Sequence, residues 1–221
     1  MDIIRTVDLC KTYETKGGIV TAIDHVNLSI KQGEYVTIIG ESGAGKSTLM
    51  HLIGGLDRPT SGDVIIDGVS MYENTSLQDL VKFRRQKVGF IFQAFNLIPF
   101  LNVWENIILP IGINGDKANT KEIDQLMEKL HIADKKLSYP EQLSGGQQQR
   151  VAIARALAVK PAIVIGDEPT GNLDSKTSQE VMDLLIDSCK TYNQTLVVVT
   201  HSKKIAKSAQ RIIRVVDGKI E

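Results

Sequence analysis

Tyr35-Val36-Thr37-Ile38-Ile39 runs directly into Gly40-Glu41-Ser42-Gly43-Ala44-Gly45-Lys46-Ser47-Thr48, and this stretch decides the fold. The first five residues read as a buried strand. Gly40 to Ser47 fit the pattern G-x-x-x-x-G-K-[ST]. From Ser47 to Leu56 apolar residues recur at helical spacing, and Gly54-Gly55 close the segment near its end. Glycines in such a loop let successive backbone N–H groups turn inward without Cβ clashes and wrap an oxyanion. The helix that follows points its positive end at the same place. Gly40, Ser42, Gly43, Ala44, Gly45 and Thr48 are therefore read as the cradle of a nucleotide polyphosphate. Lys46 is read as the contact to the β- and γ-phosphates and the Ser47 hydroxyl as a ligand of Mg²⁺. A ligand-free glycine turn could also join a strand to a helix. Average residue usage yields this pattern by chance in roughly one chain in a hundred of this length, and its position between strand and amphipathic helix decides for nucleotide.

Working outward, Ile163-Val164-Ile165-Gly166-Asp167-Glu168 is an apolar strand that delivers two acids at its carboxyl end. Ligands of parallel α/β sheets collect at that edge. Asp167 suits the Mg²⁺ shell, and Glu168, one residue on, is placed to polarise an attacking water as a general base. Two acids after a strand are by themselves more often a solvated turn; beside the phosphate loop they become a second catalytic element.

The remaining chain fits a single α/β unit. Its 221 residues suffice for one sizeable core, and 42% hydrophobic with 24% charged residues is ordinary for a globular protein. Lys plus Arg (26) equals Asp plus Glu (26), which argues against nucleic acid as the primary partner. No apolar run approaches bilayer length, and Met1-Asp2-Ile3-Ile4-Arg5 lacks the form of a signal peptide, so the chain is expected in the cytosol. Cys10 and Cys189 make no disulfide framework and are read as buried small hydrophobes.

Before the loop and after it, short apolar runs (Val26 to Ile30, Val64 to Ile66) alternate with turn signals at Lys31-Gln32-Gly33 and Asp67-Gly68, and Val88 to Phe92 is a further strand. From about Ala94 to Pro140 the pattern turns helical: Val103 to Ile108, then Lys121 to Leu130 with Thr120 as candidate N-cap. Gly112, Asn114-Gly115 and Asn119 are expected to break this region. A long helix from about Gly146 to Val159 leads back to strand patterns at Ala162 to Ile165 and Leu196 to Thr200. The expected division is a nucleotide-binding core, residues 1–93 and 160–221, with a helical subdomain at 94–159.

Leu143-Ser144-Gly145-Gly146-Gln147 narrows the reading. It resembles the LSGGQ signature of ABC-type ATPases, and Gln148-Gln149-Arg150 extends it in the same manner. Alone it would be an ordinary helix start capped by Ser144; the order of motifs decides. Tyr13 resembles the aromatic that stacks on adenine. Gln93 resembles the Q-loop glutamine that reaches Mg²⁺ and the lytic water. Asn172-Leu173-Asp174 resembles the D-loop, and His201 the switch histidine at the γ-phosphate. Three positions depart from common patterns: Ala44 where serine is frequent, Gly166 where a bulkier apolar residue is common and looser packing is expected, and Ser202 where aspartate is usual, which is expected to alter how His201 is oriented. The resemblance covers nearly the whole chain.

The resemblance implies a fold, a cycle and partners. The fold is a P-loop NTPase core with an N-terminal antiparallel β region and a helical insertion. Two copies would sandwich two ATP-Mg, each held by one chain's phosphate loop and the other's Ser144, Gly145, Gly146 and Gln147, with Asp174 nearby. A separately encoded membrane permease would dock near Gln93 and Ala94-Phe95-Asn96-Leu97-Ile98-Pro99-Phe100, holding the ATPase peripherally on the inner face of the membrane. Within the family the chain is most similar to the lipoprotein-release, macrolide-export and antimicrobial-peptide-resistance branch, through Gly54-Gly55-Leu56-Asp57-Arg58-Pro59-Thr60-Ser61-Gly62, Gln93-Ala94-Phe95-Asn96-Leu97 and Gly171-Asn172-Leu173-Asp174-Ser175. A cell-division type ATPase that signals or acts mechanically through its membrane partner is the alternative in the same branch. A ribosome- or DNA-directed relative is disfavoured by the single module, the lack of heptads and the lack of a basic patch.

Overall fold

Every residue of Thr195–Val199 is buried, as are Ile163 to Gly166 on the neighbouring strand, because both run through a parallel sheet covered on each face. A computed structural model describes the whole chain, residues 1–221. In chain order the elements are β1 (Asp2–Thr15), β2 (Gly18–Lys31), β3 (Tyr35–Ile39), α1 (Lys46–Ile53), β4 (Ser61–Ile66), β5 (Val69–Ser70), α2 (Leu77–Lys87) and β6 (Val88–Phe92). Then follow α3 (Val103–Ile113), α4 (Thr120–Lys129), α5 (Gly145–Leu157), β7 (Ile163–Asp167), α6 (Ser175–Thr191), β8 (Thr195–Val199), α7 (Lys203–Ser208), β9 (Arg211–Val216) and β10 (Lys219–Ile220).

Two sheets result. An antiparallel one has the order β2-β1-β4-β5, and a larger one the order β10-β9-β3-β8-β7-β6, parallel except for β10. Alternation along the strands assigns each side chain to a layer. Ile163, Ile165, Val197 and Val199 join the core shared with α1 and the antiparallel sheet, through Leu49, Leu52, Ile4 and Ile23. Val164, Leu196 and Val198 point to the opposite face and pack with α5, α6, α3 and α4, through Val151, Leu185, Ile107 and Leu126. Both cysteines are buried, and burial pushes the Cys189 thiol up to about 12. No helix is long and apolar enough to cross a membrane.

Several expected bounds are corrected. The helix after the phosphate loop begins at Lys46 and stops at Ile53, three residues short of Leu56, because Gly55 turns the backbone into the left-handed region at φ +69. The helix expected from Gly146 to Val159 spans Gly145–Leu157, capped by Ser144. The cap of α4 is Asn119 and not Thr120: its side chain accepts from the backbone N–H of Lys121 and Glu122, and Thr120 is already helical. Gly112 does not break α3, which continues through Pro110 and ends at Asn114. The expected N-terminal antiparallel β region is present, while the spans of β1, α2, α7, β9 and β10 go beyond the runs that the sequence marks. In α2 only Leu80 is buried, which leaves no apolar stripe to read.

Candidate functional site

The carboxyl ends of β3, β7 and β8 open onto a cleft of about 1040 Å³. Its lining includes Ser42, Gly43, Lys46 and Ser47 from the loop after β3, Gln93 after β6, Asp167 and Glu168 at the end of β7, and His201 after β8. Residues separated by up to 159 positions thus meet because parallel strands present all their carboxyl ends at one edge.

Loop conformation follows from the glycines. Gly45 sits at φ +101 and presses on the β2 backbone, where an added Cβ would lie 2.3 Å from the Ala22 carbonyl oxygen. Gly43 has φ +82 with open space around it, so its need for glycine is conformational. Ala44, in the position where serine is frequent, is buried, and its carbonyl accepts from Gly218 N–H at 3.0 Å. Its side chain faces the core and not the cleft.

Lys46 is 6% exposed, and its ammonium donates to the Gly40 and Glu41 carbonyls at 3.0 and 2.7 Å. No carboxylate hydrogen-bonds to it; the two carbonyls are its only hydrogen-bond acceptors, and Asp167 acts on it only through charge across the cleft. An anion brought to the loop would compensate it.

Burial pushes the Asp167 carboxyl up, while His51 and Lys46 pull the other way. Glu168 stands at φ +49, in the left-handed region, which turns its side chain off the strand. Glu168 Oε1 is buried and makes no hydrogen bond; His201 Nε2 lies 3.3 Å away, close enough for an ion pair but outside hydrogen-bond geometry. The donor set of Asp167, Ser47 and Gln93 is all oxygen-capable, and one orphaned carboxylate oxygen lies beside it. That chemistry fits a hard divalent cation such as Mg²⁺. The His201 side chain is 60% exposed. Ser202 caps α7, accepting from Ile205 N–H at 3.4 Å, so this position keeps a capping oxygen without aspartate.

The expected looseness at Gly166 is overturned. A Cβ there would lie 3.1 Å from Pro169 Cγ and 3.4 Å from Val198 Cγ2, so the ring of Pro169 already fills the space behind Asp167.

Other predicted residues lie elsewhere. Gly40, Ala44, Gly45 and Thr48 support the loop from outside the lining. Tyr13 stands in β1 opposite Val20, with its hydroxyl donating to Asp57 Oδ2 at 2.8 Å and the Lys11 ammonium 4.8 Å from its ring centre. Asp174 caps α6 by accepting from Lys176 and Thr177 N–H, and the Thr177 side chain, together with these backbone bonds, holds its carboxyl below the usual range. Ser144, Gly145, Gly146 and Gln147 do not line the cleft. Ser144 and Gln147 close a capping box, and Gly146 meets α6 where a Cβ would sit 2.5 Å from Thr177 Cγ2.

Sequence reading missed Arg155 and the full part played by Asn172. Arg155 reaches from α5 to the carbonyls of Asn96 and Phe95 at 2.6 and 3.0 Å, and buried Gln149 reaches that of Phe92 at 3.3 Å. Together they clamp the segment that carries Gln93. Arg155 sits on a helix with no local mark of that duty, so no signal in the sequence could have found it.

Comparison with known proteins agrees with this geometry. The family model described as "ABC transporter" matches residues 23–171. A lipoprotein-releasing system ATP-binding protein LolD of Cytophaga hutchinsonii is 44% identical over 99% of this chain and 99% of its own. A macrolide export ATP-binding/permease protein MacB of Syntrophobacter fumaroxidans is 40% identical over 100% of this chain and 31% of its own. Among solved structures, a dimeric ATP-binding cassette in a post-hydrolysis state, bound to ADP and Pi, is 44% identical with TM-score 0.86, over 99% of this chain and 96% of that one.

Proposed function

The chain belongs to the ABC transporter family, and on that premise we propose that it is the ATP-hydrolysing subunit of a transporter, working as a homodimer around two ATP-Mg. The observation that carries this reading is the meeting of Lys46, Ser47, Gln93, Asp167, Glu168 and His201 in one cleft while Ser144 to Gln147 lie outside it. A signature that opens a capped helix yet does not serve its own cleft is suited to serve a partner's.

In the proposed cycle the loop from Gly40 to Thr48 wraps the phosphates, Lys46 exchanges its two carbonyls for phosphate oxygens, and Tyr13 stacks on adenine. Ser47, Asp167 and Gln93 are the residues that would hold Mg²⁺, which would supply positive charge to offset that of the phosphates. Glu168 accepts the proton of the attacking water, and His201 contacts the γ-phosphate. ATP bridging two copies favours the closed dimer, and loss of the γ-phosphate releases it. Asp174 stands beside the partner's nucleotide as part of the D-loop.

The reading extends to partners and place. Residues 1–93 and 160–221 act as the nucleotide-binding core, and 94–159 as the subdomain that carries the signature and meets a separate permease. Phe100 is 76% exposed at the edge of that segment, a suitable contact for an apolar cytoplasmic helix. The ATPase then lies on the cytoplasmic face of the membrane. Similarity to LolD and MacB supports export, antibiotic or peptide resistance, or lipoprotein release as the work done.

Glu168→Gln tests the proposal. The variant is expected to bind Mg-ATP, lose turnover by about 10²-fold or more, and elute as a dimer when ATP is present. Near-wild-type turnover would remove Glu168 from the role of base.

A further inference from the structure

We propose that Asn172 is a positioning residue that orients the Gln93 side-chain amide so that its oxygen, and not its nitrogen, faces the metal. The inference rests on the proposed role of Gln93 as a metal ligand and adds the group that makes it one.

A glutamine amide can be turned by half a rotation with little change in shape, yet only one orientation presents a ligand. The choice here is made by a group that has none. The backbone carbonyl of Gln93 can only accept, and Asn172 Nδ2 donates to it at 3.0 Å. That bond fixes which end of the Asn172 amide is nitrogen. Its oxygen, Oδ1, must then face the Gln93 side chain, and Gln93 Nε2 donates to it at 3.0 Å. Nitrogen being committed to Asn172, Gln93 Oε1 is the end left for a cation. Orientation is thus passed from a fixed carbonyl through one amide to another.

Gly171 makes the arrangement possible. A Cβ there would lie 2.8 Å from Gln93 Nε2, 2.9 Å from Cδ and 3.1 Å from Cγ, so the glutamine side chain rests directly on the glycine backbone. The carbonyls of Phe92, Phe95 and Asn96 are held by Gln149 and Arg155 of α5. Gln93 is therefore gripped through its backbone neighbours from one side and through its amide from the other. Both Gln93 and Asn172 line the cleft with Ser47 and Asp167.

The test measures metal directly. Dissociation constants for a fluorescent ATP analogue would be taken with excess MgCl₂ and with EDTA, and their ratio read as the metal-dependent gain. Asn172→Ala is expected to cut that ratio about three- to tenfold, the range of one hydrogen bond, while the EDTA value stays within about twofold. Gly171→Ala keeps Asn172 but displaces the glutamine, and should cut the ratio likewise. Adding Asn172→Ala to Gln93→Ala should change nothing further, because the asparagine acts only through the glutamine. If Gln93→Ala lowers the ratio and both Asn172→Ala and Gly171→Ala leave it unchanged, the positioning role is overturned while the metal role of Gln93 stands. If Gln93→Ala itself leaves the ratio unchanged, the metal role falls and the inference falls with it. Thermal melts of each variant check that the fold is retained.

Discussion

Gly166 is the last fully buried residue of β7, and what surrounds it decides how Asp167 is held. Pro169 Cγ and Val198 Cγ2 stand 3.1 and 3.4 Å from where a Cβ would be. Alanine asks the proline ring to yield by a few tenths of an ångström; valine adds two methyl groups with nowhere to go. Gly166→Val should therefore lower stability by about 1–3 kcal/mol, the usual cost of overpacking, and Gly166→Ala by clearly less. Urea denaturation of the two variants checks this, and equal midpoints would show the site to be roomier than its contacts imply. The same scale separates what local sequence can and cannot tell. Lys46, Ser47, Asp167 and Glu168 are readable because each acts through its own strand-to-loop junction. Arg155 and Asn172 act on carbonyls 59 and 79 positions away, and only the folded chain brings those partners within reach.

Elements were legible in proportion to their apolar pattern. β3, β6, β7 and β8 are nearly continuous apolar runs because both faces of the parallel sheet are covered, and their reading was close. Within the expected antiparallel region the span of β1 is not legible although Ile3, Ile4, Leu9 and Cys10 are buried, because irregular pairing between Asp2 and Ile4 and again between Thr6 and Thr12 breaks its alternation. Helix α2 escaped for the opposite reason: Ser76 caps it by accepting from Asp79 N–H at 3.1 Å, but it has little apolar face. At α4 the periodicity marks the helix, and the cap lies one residue before the threonine that the sequence suggests. Asn119, with its backbone extended, supplies the oxygen for two orphan N–H groups. Asn119→Ala should cost about 1 kcal/mol, whereas Thr120→Ala should stay within about 0.5 kcal/mol. Thermal or urea unfolding decides between them, and a larger loss at Thr120 would return the cap to that residue.

On the scale of the whole molecule, three layers set the direction in which each motif faces. The parallel sheet aims its carboxyl ends into the cleft, and the helices on its far face carry α5 and the signature out of it. Gly145 and Gly146 press on the loop before α6 and on α6 itself, at 3.3 Å from Leu173 Cδ2 and 2.5 Å from Thr177 Cγ2 for a notional Cβ. The signature is therefore fixed to the rigid body that also presents Asp174, and the two would approach a second copy together. That arrangement could not be read from spacing, since nothing in the order of motifs says which copy's nucleotide each one serves. A bulky cation at the helix start separates the possibilities. Ser144→Arg should leave ATP affinity of the single chain within about twofold, because the residue does not touch its own cleft. Placed on the Glu168→Gln background, it should abolish the ATP-dependent dimer seen by size-exclusion chromatography, because the arginine would occupy the space between signature and the partner's phosphates and cost the closed state several kcal/mol. A double variant that still dimerises would mean that Ser144 faces solvent in the closed state. Loss of affinity in the single chain would mean instead that the signature serves the nucleotide of its own copy.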